Sequence, residues 1–180
     1  MTTTSKPSRF GGVAELSAAG CRSVLERNHV GRIAYLWESR VDIEPVSYAF
    51  AGNWIFLRSA AGTKMNALAH APYVAFEVDE IKSVASWQSV VAHGTVYLLS
   101  DRGDRADRGG FERAVRALRS FLPQTFRADD PVPFRDTVYG IHVDRLTGRT
   151  ARSTRVKRAK RKTVRRTRSP SRRGHTADGF

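Results

Sequence analysis

The chain has 180 residues and a single cysteine, Cys21, so it can close no intramolecular disulfide, which fits a reducing compartment. No window approaches the ~18 apolar residues of a membrane-spanning helix, and no apolar run follows the charges of the N-terminal stretch as a secretory signal requires. The expectation is a soluble cytoplasmic protein with no membrane partner. His29, His70, His93, His142 and His175 have no metal-ligand spacing, and no carboxylate pattern around them suggests a zinc or iron site. Nucleophile-elbow, Walker and dinucleotide fingerprints are missing, as is any internal repeat. Cys21, on an apolar helix face, reads as a packing residue rather than a nucleophile. Any chemistry is therefore expected of a bound cofactor.

Acidic residues are scarce in one region only. Residues 151–180 hold 12 Lys and Arg against one acid, Asp178, whereas the other 150 residues hold 19 bases and 16 acids. The basic character belongs to the tail, and the rest is close to balanced. Residues 151–173, mostly Arg and Lys with Ser, Thr and Ala, cannot bury a core and are expected to be disordered alone. The clusters at 157–162 and 165–168 resemble basic arms that bind nucleic acid, or another polyanion, through its phosphates. No aromatic is interleaved, so base stacking is not expected. A solvated tail that aids solubility is the competing reading.

What is present between the ends has mostly the period of strands. A flexible lead-in is expected over 1–13, a domain over 14–149 and the basic tail over 150–180. Residues 15–28 predict a helix capped by Ser17. Strands follow at 30–37, 41–50 and 54–58, separated by Glu38-Ser39-Arg40 and Ala51-Gly52-Asn53, turns short enough to force an antiparallel meander. A helix over 62–70 is stopped by Pro72. Strands are predicted at 73–79, 86–99 and 137–144, with a bulge or bend at Gly94. A helix is predicted over 110–122, where Phe111, Val115, Leu118 and Leu122 share a face. Six strands with few helices indicate a small antiparallel barrel.

Three segments could hold a ligand. The first runs from Arg58 and Ser59, at a strand end, through Gly62 to Thr63 and Lys64 in the first turn of a helix. It gathers a guanidinium, two hydroxyls, an ammonium and unpaired amides, a set suited to phosphate. The bland alternative is an ordinary strand–turn–helix with surface bases. The second is Trp87-Gln88-Ser89, where a flat aromatic and a hydroxyl share one face of a strand and suit a planar ligand bearing phosphate or sugar. A core Trp is the commoner case. The third is Pro45-Val46-Ser47. Proline donates no ladder hydrogen bond and so marks an edge or bulge, leaving the backbone of Val46 and Ser47 free for a ligand.

The order of Val30-Gly31-Arg32-Ile33-Ala34, Pro45-Val46-Ser47-Tyr48, Leu57–Lys64, Val74–Asp79 and Trp87–Gly94 resembles the pyridoxamine 5′-phosphate oxidase-like, FMN-binding split-barrel proteins. The nitroimidazole-resistance type is the nearest subgroup, and the match covers about residues 15–148. The resemblance implies a mainly β, six-stranded split barrel that dimerises around two flavin sites. By position, Arg58, Ser59, Thr63 and Lys64 would hold the FMN phosphate, and Val46 and Ser47 would meet the isoalloxazine edge. Trp87 and Ser89 would complete the site from the other subunit. Where relatives often carry His, this chain has Arg58. It also lacks the segments with which true pyridoxamine phosphate oxidases hold pyridoxal phosphate, so that substrate is not implied. The implied activity is an FMN-dependent oxidoreductase acting between a reduced nicotinamide and a small acceptor. A deazaflavin in place of FMN, a flavin-binding protein without turnover and a nucleic-acid-associated dimer are the alternatives.

Overall fold

The computed structural model describes residues 12–102 and 105–152. The basic segment from 153 onward and residues 1–11 lie outside them. The elements are β1 (Val13–Glu15), α1 (Ala18–Arg27), β2 (Val30–Trp37), β3 (Arg40–Ala51), β4 (Trp54–Ser59), α2 (Thr63–His70), β5 (Tyr73–Ser83), β6 (Ser86–Leu99), α3 (Arg105–Leu118) and β7 (Thr137–Ala151).

All pairings are antiparallel, in the order β1-β7-β4-β3-β2-β5-β6, and β6 pairs with β7 in addition. That last ladder closes the sheet into a barrel. The closed ring among the described residues has the expected six strands, β2 to β7, and the unexpected β1 adds three residues to the free part of β7. Leu16 then donates to the Gly148 carbonyl at 2.9 Å, and the helix begins only after Ser17, whose hydroxyl caps the Gly20 amide at 3.1 Å. The last strand runs to Ala151, well past the predicted 144, because β7 pairs with β1, β4 and β6.

Both tight turns form as composition dictates. Glu38 and Ser39 adopt φ of 46° and 65°, and Gly52 adopts 65°, the left-handed values of short hairpins. At Gly94 the β6–β7 register shifts. A Cβ there would lie 2.2 Å from the His142 carbonyl oxygen, so only glycine lets the two backbones approach.

The main core fills the barrel with Ile33, Tyr48, Ile55, Leu57, Phe76, Val90 and Ile141, and α1 plugs one side through Cys21, Val24 and Leu25. A second cluster seats α3 on the outer face of β4 through Phe56, Ala114, Leu118 and Val138. Among the described residues no helix is long and apolar enough to cross a membrane.

Candidate functional site

The barrel opens where β3 and β4 part. Their ladder runs from Ala51↔Trp54 to Tyr48↔Leu57 and stops there. Beyond that point Pro45, Val46 and Ser47 pair only with β2, while Arg58 and Ser59 pair with β7. One backbone edge of β3 is thus unpaired at Val46 and Ser47, as Pro45 predicts. The gap is a cleft of about 250 Å³ lined by Glu44, Pro45, Val46, Ser47, Arg58, Ser59, Ala60, Lys64, Phe134 and Arg135. Helix α2 starts at its rim. Its N-cap, Gly62, makes no side-chain cap, so the first amides of the helix have no internal acceptor.

The two cations expected to meet a phosphate here are both already paired. Arg58 is 8% exposed, and its Nη1 and Nη2 each donate to Asp130 at 2.6 Å. Asp130 also accepts from the amides of Phe126 at 2.8 Å and Val132 at 3.0 Å. The Arg58 guanidinium, followed by these amides, holds the Asp130 carboxyl well below the usual carboxylate range despite its burial. Two charge-assisted bonds from Arg58 therefore fasten the irregular 119–136 connection to β4, and the two amide bonds hold Asp130 within that connection. Phe134 and Arg135 of the same connection line the cleft. Lys64, whose side chain is 13% exposed, donates from Nζ to Glu44 Oε2 at 2.9 Å. The other oxygen, Glu44 Oε1, accepts from the buried Tyr35 hydroxyl at 2.5 Å. Burial pulls the Glu44 pKa up, but the bonds from Tyr35 and Lys64 outweigh it and the net shift is downward. Thr63 stands exposed at the first position of α2.

Trp87 and Ser89 lie elsewhere on the barrel, on β6. They sit opposite Ile81 and Asp79 of β5 and opposite Ala151 and Arg149 of β7. Ser89 Oγ donates to Glu77 Oε1 at 2.9 Å. The two residues share a hollow of about 490 Å³ with Val91, Arg145, Thr147 and Arg149. Within one subunit the structure thus brings together Val46, Ser47, Arg58, Ser59 and Lys64, sets Thr63 beside them, and keeps Trp87 and Ser89 apart.

Sequence reading missed Glu44, Asp130, Phe134 and Arg135. Glu44 stands immediately before the proline already singled out, so its adjacency was a usable signal. Asp130 sits in an irregular segment 72 residues from Arg58, and no local pattern reports such a pair. Arg145 and Arg149 beside Trp87 alternate on a strand that the sequence cut short.

A model of the pyridoxamine 5′-phosphate oxidase family matches residues 17–150. The chain belongs to that family. An uncharacterised protein of Rhizobium meliloti (strain 1021) is 29% identical over 149 residues, covering 77% of this chain and 95% of its own. The crystal structure of an FAD-binding protein from Mesorhizobium loti superposes with a TM-score of 0.62 at 25% identity, over 78% of this chain and 99% of that one. A candidate 5-nitroimidazole antibiotic resistance protein from Bacteroides thetaiotaomicron shares the fold at 17% identity, with a TM-score of 0.60 over 78% and 90% of the two chains. The chain's closed antiparallel barrel is the fold it shares with these structures.

Proposed function

We propose that this protein is a homodimeric flavoprotein holding its flavin between the β3–β4 cleft of one subunit and the Trp87–Ser89 hollow of the other. The observation that carries the reading is the outer sheet side shared by the two regions, which carries exposed apolar residues. Val30, Val41, Ile43, Tyr73 and Ile81 are 65%, 66%, 65%, 77% and 70% exposed on the outer side of β2, β3 and β5. Cross-strand register puts Ser47 beside Val30 and Trp87 beside Ile81 on that same side. The Arg32–Glu77 and Arg32–Asp79 ion pairs lie between these residues on the same side, so the face is an apolar one with a charged centre, and exposed apolar clusters of this kind mark interfaces. The cleft alone, at about 250 Å³, is smaller than the roughly 300–1,000 Å³ of a ligand pocket, so a second surface is needed to bury a flavin.

The residues present fit such a ligand. The unpaired backbone of Val46 and Ser47 offers hydrogen bonds to a ring edge. Lys64, Ser59, Thr63 and the α2 amides converge where a phosphate can sit, and Arg58 enters as a wall fixed by Asp130. Trp87 supplies a flat apolar surface and Ser89 a hydroxyl. When bound, the flavin supplies hydride or electron transfer, here between a reduced nicotinamide and a small acceptor. FMN is the flavin proposed. FAD, named for the Mesorhizobium loti relative, would bring a second phosphate toward Arg145 and Arg149, whose side chains make no hydrogen bond or ion pair among the described residues.

Purified protein is expected to be yellow, to bleach with NADPH or NADH, and to recolour with a nitro-aromatic or quinone acceptor. Identifying the flavin released on denaturation separates FMN, FAD and a deazaflavin. Colourless protein that binds none of the three in a titration overturns the reading, and binding without bleaching leaves a flavin carrier.

The charge distribution favours a second activity for residues 151–173, namely retention of nucleic acid. Removing residues 153–180 is expected to abolish DNA retention at low salt, and equal retention by the shortened chain would refute it.

A further inference from the structure

Lys64 is the cation best placed for an anion in the cleft, yet it is not free. Its side chain is 13% exposed and its ammonium donates to Glu44. Any phosphate arriving at Lys64 meets a carboxylate oxygen about 3 Å from the same nitrogen. Two anions sharing one ammonium repel each other; with the Glu44 side chain 42% exposed that repulsion is screened in part, and Lys64, at 13%, is screened less. Glu44 does not leave easily, because its second oxygen is anchored by the Tyr35 hydroxyl at 2.5 Å, and Tyr35 is only 4% exposed. Other charged or titratable groups near this carboxylate are Asp42 on β3, Arg135 from the connection and the buried Tyr139 of β7. Among the described residues the Tyr139 hydroxyl has no hydrogen-bond partner. Arg58 is neutralised by Asp130 and offers no relief.

We infer that Glu44 is a specificity residue that competes with the ligand for Lys64. On this view a phosphorylated ligand binds only by exchanging the Lys64–Glu44 bond for a Lys64–phosphate bond, while Tyr35 retains the carboxylate. The cleft thereby discriminates by charge. A phosphate monoester must displace an internal anion, whereas a ligand that brings no anion to Lys64 leaves the pair intact. The inference rests on the flavin reading for its biological ligand, but the competition itself does not require a flavin.

The test uses the full chain and its Glu44→Gln variant, which keeps the shape and the acceptor for Lys64 but removes the charge. Three probes are titrated: FMN, riboflavin and inorganic phosphate. Glu44→Gln is expected to tighten FMN and inorganic phosphate about tenfold and to leave riboflavin within twofold. Adding Lys64→Gln to the variant is expected to cancel the gain. Unchanged or weaker phosphate and FMN binding by a folded Glu44→Gln protein overturns the inference, and so does a gain that survives the loss of Lys64. If the glutamine variant does not fold, Glu44→Ala is judged by the same outcomes. Should neither FMN nor riboflavin bind to any form while phosphate still tightens, the flavin reading fails and the competition stands.

Discussion

At the scale of single residues, the site is decided by how its charges are paired. Arg58 and Asp130 form a buried pair with four bonds to the carboxylate. Removing one member strands the other, so Asp130→Ala is expected to cost about 3–5 kcal/mol in denaturant unfolding. The pH dependence has a definite sign. The folded Asp130 pKa is depressed chiefly by Arg58. Its contribution is therefore complete above the unfolded value near 3.9 and is lost as pH falls through the lower folded value. The stability gap between wild type and Asp130→Asn should accordingly be full at pH 7 and shrink steadily below about pH 4. A gap that stays constant across that range would show that the pair stabilises nothing through its charge. Lys64 acts on ligand rather than on stability. Losing one charge-assisted bond of roughly 1.5–3 kcal/mol should weaken FMN about 10- to 150-fold in Lys64→Ala, and an unchanged flavin titration would remove Lys64 from the site.

At the scale of elements, most of the barrel was legible because local chemistry determined it. Hydrophobic alternation marked the six longer strands, glycine marked the bulge, and the Ser17 cap set one helix start. The rest needed partners distant in sequence. β1 exists only because β7 offers an edge to Val13–Glu15, and three residues carry too little pattern to signal a strand. α3 runs from Arg105 rather than 110, with Gly109 and Gly110 inside it, and a Cβ at Gly110 would lie 3.2 Å from Leu99 Cδ2, so glycine there lets α3 pack closely on β6. Of the candidate residues, proline and helix-start chemistry singled out Val46, Ser47 and Lys64, which the structure brings to one cleft, and strand parity singled out Trp87 with Ser89, which lie together elsewhere on the barrel. The carboxylates that neutralise Arg58 and Lys64 were not legible, since ion pairs 72 and 20 residues apart leave no local periodicity. Gly94 tests whether the bulge is structural. Gly94→Ala places a Cβ against backbone on β7 and is expected to cost about 1–3 kcal/mol or more, read from the urea midpoint. A neutral result would mean that the β6–β7 approach relaxes freely.

At the scale of the whole molecule, the proposed dimer needs an apolar contact surface on the outside of the barrel. Stable interfaces bury about 800 Å² per partner around an apolar centre, and the face carrying Val41 and Ile43 is the candidate centre. Ile43 pairs with Ala34 on the outer side of the β2–β3 ladder and is 65% exposed, so replacing it does not touch the barrel core. Ile43→Glu is therefore expected to leave circular dichroism and the unfolding midpoint of the flavin-free protein nearly unchanged while shifting the mass in solution from two chains to one. Because the cleft and the Trp87 hollow then lose each other, the same variant should release its flavin, although no residue of the cleft lining has been altered. A monomeric variant that keeps its colour would place the whole flavin site within a single subunit. A variant that stays dimeric would move the interface to another face.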